Sequence, residues 1–138
     1  MRLDCPTAQG GPVRVLAVDG MSDPRLSRTR RLLELADECA RADREGRPVD
    51  LIAGDFNSVG TSIGFNALAS TAGGYALASR QTRGWRATWP SYFPMYDIDH
   101  VWVSKRWGVI GCDRFSTLGS DHRAQVVDVT KFATAPTR

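Results

Sequence analysis

Polar residues suited to phosphoester chemistry lie in three short segments, each at the end of an apolar run or within one. Hydrolysis of a phosphoester requires a cation to offset the phosphate charge, an aligned water, and stabilisation of the charge that develops on the oxygens. Carboxylates can meet the first two needs, and an imidazole held by a carboxylate can meet the third. The segments that combine these residue types are Gly54–Asn57, Asp99–His100 and Ser120–His122.

The first segment directly follows the apolar run Val49–Ala53. If extended backbone continues through it, the side chains of Asp55 and Asn57 point to the same side. The carboxylate could then accept a proton from water while the amide donates to a phosphate oxygen. The same two residues also fit an Asx turn that only closes the strand.

Asp99 lies inside the apolar run Ile98–Ser104. A buried carboxylate there requires a cation, a metal or an imidazole as its partner, because an unpaired buried charge is costly. The alternative is a solvent-facing Asp on a half-buried sheet. Strand alternation directs His100 to the opposite face, which favours a structural role for that residue.

The third segment precedes the apolar run Ala124–Val129. His122 could contact a phosphate oxygen while Asp99 orients its ring and fixes its tautomer. Asp121 could ligate a divalent cation, for which carboxylate oxygen is a suitable ligand. The alternative is a simple cap of the following strand that carries a surface His.

The periodicity around these segments predicts one α/β domain. Ser27 is a suitable N-cap for an amphipathic helix that ends before Gly46, and Cys39 falls on its apolar face. The tail Thr130–Arg138 is polar and expected to be loose. The pattern predicts helices over 27–45 and about 61–70, strands over 13–18, 49–53, 98–104, 107–112 and 124–129, and an irregular stretch over 71–94 with one strand near 75–78.

Composition bounds the class of protein. The 138 residues are 42% hydrophobic and carry a net charge of +3, so a polyanionic partner is compatible but not required. No run reaches the roughly 18 apolar residues of a membrane span, and the first residues lack the apolar core of a signal peptide, which favours a soluble cytoplasmic chain. Three cysteines without C-x-x-C spacing indicate neither a disulfide framework nor a zinc site.

Taken together and in this order, the motifs G-D-F-N, I-D-H-V-W-V-S and G-S-D-H-R resemble the endonuclease/exonuclease/phosphatase family, which includes the DNase-I-like nucleases. Thr88-Trp89-Pro90 before I-D-H is similar to its bacterial members. The resemblance covers about Val13–Val129. It implies the second half of a four-layer α/β/β/α sandwich, with a mostly antiparallel sheet and flanking helices.

The resemblance also implies roles for the polar residues. Asp55 would orient or deprotonate the attacking water, and Asn57 would bind a phosphate oxygen. Asp99 would pair with His122, which would contact the scissile phosphate and stabilise its developing charge. Asp121 would help to hold Mg²⁺ or Mn²⁺. The implied activity is that of a divalent-metal-dependent phosphodiesterase, nuclease or phosphatase.

The chain departs from the family pattern upstream. The Asn and Glu that bind metal in the first half of the family fold have no counterpart, and Asp19 follows the strand at which a catalytic His or Tyr often lies. We therefore expect a fragment of a longer enzyme, whose N-terminal half, or a partner chain, covers the exposed sheet face.

Two further interpretations stay open: a non-catalytic module that binds phosphate or a protein partner through Arg86 and Arg123, and a piece of a membrane-associated bacterial member whose spans lie upstream. DNA, RNA, lipid head groups and inositol phosphates all remain candidate substrates. Trp85 and Trp89 could stack on a base, although packing roles are favoured.

Overall fold

A computed structural model describes residues 1–7, 10–23, 25–71, 74–81 and 83–132. Its elements are strands and helices, as the sequence predicts. In chain order they are β1 (Arg2–Thr7), β2 (Gly10–Asp19), α1 (Arg28–Arg44), β3 (Leu51–Asp55), α2 (Phe65–Ser70), β4 (Tyr75–Leu77), a 3-10 turn (Ala78–Arg80), β5 (Asp99–Ser104), β6 (Trp107–Ser116) and β7 (Arg123–Lys131).

The strands form a five-stranded sheet of order β1-β2-β3-β5-β4 and a separate two-stranded sheet, β6-β7. Only β2 and β3 pair in parallel, through the crossover helix α1; the other pairs are antiparallel. A parallel pair needs such a crossover because its strands run in the same direction. The predicted mixed fold with a mostly antiparallel sheet and flanking helices is confirmed.

Helix α1 covers one face of the larger sheet. The Ser27 side chain accepts a hydrogen bond from the backbone N–H of Arg30 at 3.3 Å and thus caps the helix, as its sequence predicts. Residues three and four positions apart, including Leu32, Ala36 and the fully buried Cys39, face the sheet. Helix α2 begins at Phe65, later than the expected start near residue 61, and joins the same core.

The β6-β7 hairpin packs on the opposite face of the sheet. Leu51, Val101 and Val103 meet the hairpin residues Val109 and Val127 there. The hairpin therefore covers the part of this face that β3 and β5 form. Two residues of β2 that point to the same side, Val15 and Ala17, are only half-buried.

Three features differ from the sequence expectations. Strand β1 was not expected, because all of its side chains are exposed and they show no alternating pattern; backbone pairing with β2 forms it. Strand β6 extends to Ser116, and β7 extends to Lys131, into the tail that was expected to be loose. Residues 133–138 of that tail, and Pro24 in the predicted loop, lie outside the described residues. No helix in the described part of the chain has the length and apolar character needed to cross a membrane.

Candidate active site

Strand register places three aspartates side by side at one end of the larger sheet. Asp19 is paired with Asp55 across β2 and β3, and Asp55 is paired with Asp99 across β3 and β5. Residues in register on neighbouring strands project from the same face of a sheet. The row lies where β2 and β3 end and β5 begins, so negative charge is concentrated at this edge.

The imidazole of His122 completes this edge. Nδ1 of His122 lies 2.8 Å from Oδ2 of Asp99, with 29% of the His side chain and 19% of the Asp side chain exposed. Burial lowers the pKa of His122, but its hydrogen bond to Asp99 and the charges of Asp99, Asp55 and Asp121 outweigh burial and raise the pKa above its ordinary value. A proton on Nδ1 faces the carboxylate, which leaves Nε2 on the other side of the ring for another partner.

Asp55 and Asn57 are joined by a turn. The backbone N–H of Asn57 donates to Oδ1 of Asp55 at 2.7 Å, and the Asn57 amide donates to Oδ2 at 3.1 Å and to the backbone carbonyl of Gly20. Strand β3 ends at Asp55, and Asn57 has a positive φ of 46°, so extended backbone does not continue through the segment as the sequence suggested. An Asx turn is therefore present, and it brings the two side chains together without extended backbone.

Burial is the main cause that raises the pKa of Asp55 above its ordinary value. The hydrogen bond from the backbone of Asn57 opposes this effect, and repulsion from Asp99 adds to it. A carboxylate with a raised pKa is a stronger proton acceptor than an ordinary one. Asp55 thus has the environment of a general base.

Asp55, Asp99 and His122 form a group that could hold a metal ion. One ligand atom from each lies within 4.8 Å of the others. Two carboxylates give the group an oxygen-rich character that fits a hard divalent cation such as Mg²⁺ or Mn²⁺, and a cation between them would relieve their mutual repulsion. Asp121 is not part of this group; it is exposed, and its Oδ2 accepts a hydrogen bond from Nε1 of Trp89 at 3.1 Å.

His100 lies on the helix-covered side of the sheet, away from the site. It is 2% exposed, its Nε2 lies 2.7 Å from the carbonyl oxygen of Ser58, and its ring packs against Phe56 and Phe65. Burial lowers the pKa of His100 below its ordinary value. Its environment is that of a neutral residue in the core, and the two histidines of the chain have separate surroundings.

A cleft of about 340 Å³ adjoins the His122 side of the site. Arg123 lines it, and the buried Nε of this residue has no hydrogen-bond partner among the described residues. Arg86, which was considered as a second phosphate ligand, is exposed and lines a different cavity. Other residues that line the cleft include Gly54, Asp99, Thr117, Ser120, His122 and Gln125.

The tryptophans that precede the I-D-H motif differ in their surroundings. Trp85 is 67% exposed, so the packing role favoured for it is wrong. Trp89 is half-buried, and its ring centroid lies 6.5 Å from that of His122 and 6.0 Å from that of Tyr96.

Two residues that contact the backbone of Asp99 had no role predicted from the sequence. The Thr88 hydroxyl accepts hydrogen bonds from the backbone N–H groups of Ile98 and Asp99, at 3.3 and 3.2 Å. The Gln125 amide donates to the backbone carbonyl of Asp99 at 2.6 Å. The T-W-P motif, which includes Thr88, was the feature of the sequence that could have indicated this role.

Comparison with known proteins places this fold and site in a family. The profile of the endonuclease/exonuclease/phosphatase family matches residues 3–122, and the chain belongs to that family. The family assignment made from the three motifs is confirmed. A search of curated protein sequences finds no significant match.

Several solved structures share the fold. A conserved protein of unknown function from Enterococcus faecalis V583 has a TM-score of 0.73 at 18% identity, over 91% of this chain and 53% of its own. The mannosyl-6-phosphatase of Bacteroides thetaiotaomicron has a TM-score of 0.70 at 18% identity, over 88% and 52%. The human Nocturnin catalytic domain, solved with a bound sulfate anion, has a TM-score of 0.65 at 19% identity, over 95% and 51%. The chain thus spans about half the length of each.

Proposed function

We propose that the chain carries the general base and the imidazole of a divalent-metal-dependent phosphoester hydrolase, a phosphodiesterase, nuclease or phosphatase. The observation that carries the proposal is the hydrogen bond between His122 and Asp99 within 4.8 Å of the Asp55 carboxylate. Membership of a family of phosphoester hydrolases supports it.

In the proposed reaction Asp55 accepts the proton of the attacking water. Its raised pKa makes it a better acceptor than an exposed carboxylate. Asn57 holds Asp55 in place through two hydrogen bonds. Both amide hydrogens of Asn57 are engaged, so its contact with a phosphate oxygen requires the exchange of one of these bonds.

His122 acts on the opposite side of the phosphate. Asp99 holds the Nδ1 proton and stabilises the positive charge of the ring. Nε2 then donates to an oxygen of the phosphate or of the leaving group. The raised pKa keeps a larger fraction of His122 protonated near neutral pH than an ordinary His would have.

Asp55, Asp99 and His122 are the residues that could hold a Mg²⁺ or Mn²⁺ ion, which when bound would offset phosphate charge and polarise the P–O bond. Asp55 and Asp99 are the closest carboxylates for it, and Asp121 is the further candidate taken from the family resemblance. Asp121 would have to exchange its hydrogen bond with Trp89 to act as a ligand.

Because the chain spans about half of its structural neighbours, full activity is proposed for an assembly with a complementary half, either in a longer polypeptide or in a partner chain. The half-buried face of β2 at Val15 and Ala17 is the surface that such a half would cover. Nucleic acid remains one candidate substrate, and a cytoplasmic location remains a prediction of the sequence.

The test uses the 138-residue chain with bis-p-nitrophenyl phosphate, in MgCl₂, MnCl₂ or EDTA. Asp55→Ala and His122→Ala are compared with Asp113→Ala, which changes an exposed aspartate on β6. We expect residual metal-dependent turnover, below that of a complete assembly, that both site variants abolish and the control retains. Turnover that is absent, or equal in all variants, contradicts activity in this chain.

A second candidate function is phosphate binding without hydrolysis. Arg123, which lines the cleft beside His122 and whose buried Nε has no hydrogen-bond partner among the described residues, favours it. Calorimetry with inorganic phosphate distinguishes phosphate binding without hydrolysis from the hydrolase function. Binding that depends on Arg123 but not on metal, with no turnover, supports the binding module.

A further inference from the structure

The two partners of the Asp99–His122 hydrogen bond come from different sheets. Asp99 begins β5 in the larger sheet, whereas His122 directly precedes β7 of the hairpin, 23 residues later. A charge-assisted N–H···O bond requires about 2.7–2.9 Å between its heavy atoms. Other contacts must therefore keep β5 and the segment 120–123 at a fixed separation.

Residues 88–91 connect these two parts of the chain, and we call them the 88–91 segment. On one side, the hydroxyl of Thr88 accepts from the backbone N–H groups of Ile98 and Asp99. On the other side, the carbonyl of Thr88 accepts from the backbone N–H of Arg123 at 2.8 Å. One residue thus contacts the backbone of Asp99 and that of the residue after His122.

The rest of the 88–91 segment holds the residues before His122. The backbone N–H of Ser91 donates to the carbonyl of Asp121 at 2.7 Å, and its hydroxyl donates to the carbonyl of Ser120 at 3.1 Å. The Trp89 indole donates to Oδ2 of Asp121. Hydrogen bonds from the segment therefore reach residues on both sides of His122.

Burial makes the Thr88 contacts hard to replace with water. Thr88 is 0% exposed, and its hydroxyl is the acceptor for two backbone N–H groups. Without that acceptor, a buried N–H is left without a partner, and the chain moves to find another. A hydroxyl at this position therefore fixes where the main chain of Asp99 lies.

We propose that Thr88 and Trp89 are positioning residues for the hydrolysis: they hold Asp99 and the segment 120–123 at the separation at which the Asp99–His122 hydrogen bond forms. The proposal rests on the proposed function for its catalytic meaning. Its structural content, the dependence of that hydrogen bond on the 88–91 segment, can be measured without any turnover. Neither residue contacts the reacting atoms.

The direct test is NMR of the chain labelled with ¹⁵N-histidine. There are only two histidines, so the imidazole of His122 is readily distinguished from that of the buried His100. We expect a downfield Nδ1–H signal of His122 in the wild type and in Thr88→Ser, which keeps the hydroxyl. In Thr88→Val the signal should be lost or markedly shifted, while the signals of His100 stay in place.

The matched control is Thr71→Val, which removes a half-buried hydroxyl that donates to Ala36 on α1, on the helix side of the sheet. Should Thr88→Val fail to fold, Trp89→Phe keeps an aromatic ring beside His122 and removes the indole N–H that donates to Asp121; it should broaden or shift the same His122 signal. An unchanged His122 signal in the folded variants overturns the proposal.

Kinetics supply the second readout. If the wild type turns over bis-p-nitrophenyl phosphate, Thr88→Val should lower kcat by up to about 100-fold with little change in KM, and Thr88→Ser should restore it, because misplacement by 1 Å has an effect of that order. A wild type without turnover contradicts the proposed function only, and the NMR result still decides the role of the 88–91 segment. Equal kcat in Thr88→Val and the wild type overturns the positioning role.

Discussion

Replacement of Gly54 by Ala should disrupt the site, because the added methyl group would clash with the backbone of β2. Gly54 directly precedes Asp55 and pairs with Val18 of β2 and with His100 of β5. Its φ of +142° is rare for residues with a side chain. An added Cβ would lie far inside van der Waals contact of the Val18 carbonyl oxygen and 2.9 Å from its carbonyl carbon. Both groups are backbone, so no side-chain rotation relieves the clash.

The size of the effect follows from two contributions. A side chain in a sparsely populated φ/ψ region costs about 1–3 kcal/mol. Overpacking that shifts the backbone costs about 1–3 kcal/mol more. The sum, about 2–6 kcal/mol, is a large part of the roughly 5–15 kcal/mol by which a native domain is stable. Strand β3 must also move away from β2, which separates Asp55 from Asp19 in the row of aspartates.

Two other glycines separate these contributions. Gly84 has a φ of +112° with open space around its Cβ position, and Gly11 has open space without a positive φ. Gly84→Ala should therefore show the φ strain alone, and Gly11→Ala should be neutral or stabilising by up to about 1 kcal/mol. Urea unfolding measures all three free energies. If Gly54→Ala is within about 0.5 kcal/mol of Gly84→Ala, the clash assigned to the backbone of Val18 is refuted.

Three further predictions concern charge and capping. The pKa of His122, followed by NMR, should lie above its ordinary value and fall in Asp99→Asn; an unchanged pKa contradicts the pairing. Because that pKa is raised on folding, the stability that His122 contributes is full below its unfolded pKa and is lost as pH rises through the folded value. The raised pKa of Asp55 has a consequence of the same sign in a more acidic range: in EDTA the wild type should lose stability as pH rises above the ordinary carboxyl pKa, and Asp55→Asn should lack this loss in pH-dependent denaturation. Ser27→Ala removes the cap of α1 and should lower the free energy of unfolding by about 1 kcal/mol in urea; no change would show that water replaces the cap.

Local signals explain which parts of the fold and site could be predicted. The apolar run before Asp55 and the alternation around Asp99 predicted strands over 49–53 and 98–104, and the structure has them over Leu51–Asp55 and Asp99–Ser104. Ser27 and Gly46 marked the ends of α1, because capping depends on the residues at the helix ends. In each case the physical cause lies within a few residues of the element itself.

Long-range features could not be read in this way. The row of Asp19, Asp55 and Asp99 depends on the register between strands far apart in sequence, which local periodicity does not determine. Strand β1 has only exposed side chains, so its pairing leaves no hydrophobic pattern. The role of Thr88 depends on the backbone N–H groups of Ile98 and Asp99. Nothing in the local sequence indicates which residue accepts hydrogen bonds from them.

The burial of His100 simplifies every measurement made near neutral pH. Its ring is enclosed by aromatic side chains and its Nε2 is tied to the carbonyl of Ser58, and its lowered pKa moves its protonation towards acid. His122 has a raised pKa, so the two imidazoles titrate in separate ranges. Of the two imidazoles, His122 is then the one expected to take up its proton at the higher pH, and His100 provides an internal reference for the state of the proposed catalytic imidazole.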